Sequence, residues 1–182
     1  MNVVSTKDKY IKIVAPEMEK KFGYGNVMAV PRILKVVVNS GTGKLVKDGG
    51  DKDQEVFDTI ASITGQKPVK TKAKQAISGF KTRIGMEVGV KTVLRGKKMW
   101  SFLDRLVNVT LPRTKDFQGI NVSSVDSNGN LNIGIKEQII FPEVSPEKVK
   151  VLFGMQVTVT STAKNREEGL ELYRLLGFPL KK

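Results

Sequence analysis

The chain has neither cysteine nor histidine among its 182 residues. The first absence excludes disulfides and thiolate chemistry. The second removes the usual metal ligand and the usual proton carrier at neutral pH. Catalysis would then need paired carboxylates, a lysine or a metal. The only suggestive carboxylates, Glu137 and Glu143 on either side of IIFP, read as structural, and no residues have metal-site spacing. No enzyme, metal, cofactor or small-molecule substrate is expected. Aromatic residues reach only 7%, little for stacking on bases. No apolar run approaches the roughly 20 residues of a membrane span. Residues 1–25 are charged throughout and lack the apolar stretch of a secretory leader, so a cytoplasmic protein is expected.

Positive charge is present in excess. The net charge is +13. Residues 59–103 hold ten basic side chains and one acidic one, Glu87, while the flanking segments are nearly balanced. A field this focused attracts a polyanion. The basic segment has no bulky apolar face at helical spacing, so a membrane surface is not the expected partner.

Periodicity suggests the elements. Tyr10, Val14, Met18 and Phe22 recur every four residues, a helix from Ser5 or Thr6 to Phe22 that Pro16 should kink. ILKVVVNSG alternates as a strand, with Leu34, Val36 and Val38 inward. After a KDGG loop, Asp51 can cap a helix through Thr64, stopped by Gly65. Pro68 to Lys74 alternates again. Met86 to Arg95 is a long strand, with Val88, Val90, Thr92 and Leu94 opposite Gly89, Lys91, Val93 and Arg95. Lys97 to Val109 reads as a helix ended by Pro112. Asn128-Gly129 signals a tight turn. Short strands follow at Leu131–Ile135 and Val157–Thr162, then a helix capped by Asn165 with Glu168 in a capping box. The order predicts one α+β domain over residues 1–182: a mostly antiparallel sheet with helices on one face, a split-βαβ-like core and terminal helices.

Two features carry chemistry. NSGTG offers glycines that let backbone amides approach a phosphate, yet the full dinucleotide fingerprint is absent. Lys35 and Asn39 share the outer face of the first strand, and Lys91 and Arg95 that of the long strand. If these strands are neighbours, they form a basic surface able to meet RNA backbone and edges. Two rivals stay open at this point: a small enzyme holding a phosphorylated substrate at Gly41–Gly43, and a general single-strand binder.

Several blocks together resemble the bacterial-type large-subunit ribosomal protein L five family, which binds 5S rRNA. They are VPRILKVVVNSGTG, ITGQKPVKTKAK, GFKTR, VLRGKKMWSFLDRL, LPRTKDFQG, GNLNIGIKEQIIFPE and the terminal GFP, in family order from about Tyr10 to Pro179. The resemblance implies an α+β fold in the central protuberance of the large subunit of a cytoplasmic ribosome. It implies as partners 5S rRNA, 23S rRNA, the P-site tRNA and a small-subunit head protein of the S thirteen family. Carried over by position, Asn39, Gly41, Gly43 and Gln66 fall where the family meets 5S rRNA. Lys67 and the sheet-face residues Lys35, Lys91 and Arg95 join them as candidates. The loop from Lys72 to Arg83, with Lys74, Gln75, Gly79 and Lys81, falls where the family reaches tRNA. Arg113 and Lys115 are bridge or rRNA candidates. The chain departs from the family pattern V-T-L-R, having Thr92-Val93-Leu94-Arg95, which moves a hydroxyl to the other face. Gln75-Ala76, Gln118 and Ser127-Asn128 also differ from the residues common in the family.

Overall fold

A computed structural model describes residues 5–43, 45, 52–115 and 117–181, with only the backbone of Lys148. Among the described residues it is an α+β fold with one antiparallel five-stranded sheet and four helices. The strands are β1 (Ile33–Gly41), β2 (Val69–Lys72), β3 (Glu87–Leu94), β4 (Leu131–Ile135) and β5 (Met155–Ser161). Their spatial order is β2-β3-β1-β5-β4. Thus β3 lies between β1 and β2, the split βαβ that the sequence pattern predicts. Residue contacts divide the chain into two compact units. One comprises Met1–Val36, Arg95–Ile133 and Thr158–Lys182; the other comprises Val37–Leu94 and Gly134–Val157.

In the first unit, helix α1 covers residues 6–22, with Thr6–Lys9 and Ala15–Phe22 α-helical and Tyr10–Val14 π-helical between them. The wider π turn precedes Pro16, which has no backbone N–H to give the preceding turn. The helix therefore continues past the proline. Ser5 caps the start, its hydroxyl accepting from the Lys7 amide, and Gly23 ends it at φ 66°. The Thr6 amide and hydroxyl both donate to the Asp104 carboxylate, which tethers the start of α1. Helix α3 (Gly96–Arg105) runs into a π-helical turn, Leu106–Thr110. It buries Met99, Phe102, Leu103 and Leu106. Helix α4 (Arg166–Leu176) is capped by Asn165, whose side chain accepts from the Glu168 amide at 2.9 Å. Glu168 reaches back to the Lys164 amide rather than to that of Asn165, a capping box shifted by one residue. Tyr173 is fully buried. Its hydroxyl lies 3.0 Å from both the Gly129 and Val159 carbonyls, and burial pushes the phenol well above its ordinary range.

In the second unit, helix α2 (Lys52–Thr64) buries Val56, Ile60 and Ile63 and stops at Gly65, φ 62°. The KDGG loop, Lys47 to Gly50, and the expected cap Asp51 lie outside the described residues. The inward faces of the strands are Val36, Val38 and Ser40 on β1, and Val90, Thr92 and Leu94 on β3. Leu34 departs from its expected inward role: it is 41% exposed, and Ile33 is buried at the start of the strand. Strand β2 is shorter than its alternation suggests, running from Val69 to Lys72 with a register shift against β3 between Thr71 and Lys72. Strand β5 starts two residues earlier than expected, at Met155, which is buried.

Candidate RNA-binding face

The outward side chains of the second unit's strands come from local alternation. On β1 they are Val37 and Asn39, followed by the exposed Gly41. On β3 they are Lys91 and Val93, with the covered Gly89 in line with them, and on β2 Val69 and Thr71. Val69 pairs with Lys91, and Thr71 with Gly89. A Cβ at residue 89 would lie 3.9 Å from the Gly41 Cα. Counting two residues along each antiparallel strand then brings Asn39 alongside Lys91, and both are exposed. The sequence could only pose this adjacency as a condition; strand order supplies it.

The glycines differ in role. Gly41 faces open space, whereas Gly43 is half-buried beside the Val88 carbonyl. The Thr42 amide donates to that same carbonyl at 2.9 Å, so the chain after β1 stays bonded to β3. Gln66 is half-buried, and its side-chain amide donates to the Val93 carbonyl at 3.0 Å. That bond anchors the turn after α2 on β3 and leaves the Gln66 side-chain oxygen as an acceptor. Lys67, next in the chain, is exposed.

The residues between β2 and β3 extend the hairpin. The Ala73 amide donates to the Met86 carbonyl, and Gly85 donates back to Ala73. Ile77 and Thr82 exchange two backbone bonds of 3.2 Å around a 3₁₀ turn, Ser78–Phe80. Lys81 closes the turn in the left-handed region at φ 49°. Lys72, Lys74, Gln75, Gly79, Lys81 and Arg83 are all exposed. So are Ile77, Phe80 and Ile84, at 47%, 66% and 73%. Sequence reasoning missed these three; the signal was an aromatic residue just ahead of two cations in GFKTR.

Two withdrawals matter. Lys70, inside the basic block, is taken up by ion pairs to Asp53 (2.9 Å) and Glu87 (2.8 Å). Hydrogen bonds that the Lys70 ammonium donates, first to Glu87 and then to Asp53, raise its pKa above its usual range. The Lys70 ammonium holds the Asp53 carboxyl below its own. Thr92 points inward, and its hydroxyl is buried with no partner among the described residues. The exchanged Thr-Val order therefore carries a hydroxyl from the outer face into the core. Lys35, half-buried on β1, and Arg95, exposed ahead of α3, belong to the first unit, as do the exposed Arg113 and Lys115 just after the π turn. Among the described residues there is no cluster of metal-ligating side chains, and no helix is long and apolar enough to cross a membrane.

The comparisons with known proteins agree along the chain. Residues 26–83 match the family profile described as Ribosomal protein L5, and residues 87–180 match the profile for the C-terminus of the same ribosomal family. The chain is 48% identical over 176 residues to large ribosomal subunit protein uL5 of Desulforamulus reducens, covering 97% of each protein. The protein of that name from Alkaliphilus metalliredigens is also 48% identical over 176 residues, covering 97% of this chain and 98% of the relative. That from Fervidobacterium nodosum is 46% identical over 183 residues, covering 98% and 97%. Two profiles that meet near the root of the β2–β3 hairpin, and relatives matched nearly end to end, leave one assignment: this chain belongs to the ribosomal protein L5 family, structural components of the ribosome rather than enzymes.

Proposed function

We propose that the chain is a structural constituent of the large ribosomal subunit, in the cytoplasm, that binds 5S rRNA and helps anchor it in the central protuberance. In this reading the outer face of β1 and β3 holds 5S rRNA through Asn39, Lys91, Gly41 and the turn at Gln66 and Lys67. The extended hairpin with Lys72, Lys74, Lys81 and Arg83 reaches P-site tRNA. 23S rRNA and a small-subunit head protein of the S thirteen family complete the partners, with Arg113 and Lys115 as candidates there. The observation that carries the reading is the outer face itself. Asn39 and Lys91 lie side by side on it, and the one acidic residue of β1, β2 and β3, Glu87, is already paired. Such a face recognises folded RNA through backbone and shape.

The test is binding of the purified chain to 5S rRNA across a salt series. About five phosphate contacts give a slope of log affinity against log salt near −4, at roughly 0.8 per contact. Asn39→Ala weakens binding by about 1–3 kcal/mol, the cost of a lost polar contact, with unchanged thermal stability. A flat salt response overturns the reading, as does an Asn39→Ala variant that loses stability while keeping its affinity.

A further inference from the structure

Two cations stand close together at the end of β2, yet they do not serve alike. Lys70 and Lys72 are two residues apart and so share a face of the strand. Glu87 is the register partner of Lys72, and the register shift between Thr71 and Lys72 leaves it also near Lys70, whose own partner is Val90. Cross-strand partners and diagonal neighbours are both within reach of long side chains. Glu87 therefore has two ammonium groups to choose between. Its carboxylate sits 2.8 Å from Lys70, and Lys72 makes no ion pair among the described residues. The choice is biased from the helix. Asp53, in the first turn of α2, holds the same Lys70 ammonium at 2.9 Å and fixes it on the Glu87 side.

We infer that Lys70 is a positioning residue that sequesters Glu87, and so keeps the neighbouring Lys72 free for RNA phosphate. The inference rests on the proposed tRNA-facing role of the hairpin, and it names which lysine of the basic block does not touch RNA. Lys70 lies between two carboxylates and has little net charge to offer a phosphate. Without it, Glu87 and Asp53 would put two uncompensated negative charges at the root of a hairpin meant for a polyanion. Glu87 would then take its register partner Lys72, removing one phosphate contact and adding a repulsive charge.

Two measurements test this. The first needs no RNA. The unfolding free energies of Lys72→Ala, Glu87→Gln and the two together give the coupling between these residues, in the wild type and in Lys70→Met. The expected result is a larger Glu87–Lys72 coupling in the Lys70→Met background than in the wild type. No gain in coupling in the Lys70→Met background overturns the inference. The second measurement is P-site tRNA retention on ribosomes assembled with each variant. Lys70→Met lowers retention about threefold, the scale of an exposed ion pair. Lys70→Met with Glu87→Gln restores it, although this double variant lacks the ion pair too. If retention stays low in the double variant, Lys70 acts only through the fold and the inference fails. A Lys72→Ala variant with wild-type retention instead overturns the tRNA reading of the hairpin, while the coupling result stands by itself.

Discussion

Thr71 and Gly89 face each other across β2 and β3, and a Cβ at residue 89 would sit 2.8 Å from the Thr71 hydroxyl oxygen and 3.0 Å from the Ser40 carbonyl. The hydroxyl can rotate away, but the carbonyl belongs to the backbone of β1. Gly89→Ala is expected to destabilise the protein by about 1–3 kcal/mol, the usual cost of forcing a methyl into a packed site. Thermal unfolding measures it. Combining it with Thr71→Ala recovers only part of the loss, because the Ser40 contact remains.

Thr92 places a hydroxyl with no partner among the described residues between Val90 and Leu94 in the core. Burying such a group costs about 1–3 kcal/mol by mutational measures. Thr92→Val keeps the shape and removes the cost, so its unfolding midpoint in denaturant rises. A midpoint that falls would show that the hydroxyl does have a partner.

Asp126 organises the turn at Asn128-Gly129. Its carboxylate accepts from the backbone amides of Asn128 and Asn130 and from the Asn130 side chain. Burial acts against the charged form, but these bonds outweigh it and hold the carboxyl below its ordinary value. A depressed folded pKa contributes stability that is present above the unfolded value, about 3.9, and is lost as pH falls through the folded value. The stability difference between the wild type and Asp126→Ala is therefore full at pH 7 and shrinks as pH drops below about 4. A difference that does not change with pH down to complete acid unfolding contradicts this.

Phe80 is 66% exposed in the turn of a hydrogen-bonded hairpin whose sequence also carries Lys74, Lys81 and Arg83. An exposed aromatic ring in a cation-rich hairpin suits a base or ribose face, at about 1–3 kcal/mol per stacked base. Phe80→Ala is expected to weaken P-site tRNA retention without changing 5S rRNA affinity or thermal stability. Equal loss for both RNAs would mean that the tip and the sheet face act as one site.

The sequence by itself determined what depends on near neighbours along the chain. Val36 and Val38 point inward because alternation leaves them no other face. Asn165 starts α4 because its side chain reaches the amide three residues on, and Gly23 and Gly177 end helices because they accept positive φ. The concentration of charge in residues 59–103 is equally visible in the linear order. Only the tertiary structure decided which strands are neighbours. Asn39 meets Lys91 because β3 inserts between β1 and β2, a pairing across some fifty residues that no local period encodes. Lys70 looked like any other cation of its block until Asp53 and Glu87, each 17 residues away, closed on it. Gln66 looked like a free amide until the Val93 carbonyl lay within reach. The division follows from physics. Caps, turns and strand alternation come from dihedral preferences and contacts within a few residues. Ion pairs, close glycine approaches and shared faces arise only when the core has brought distant segments together.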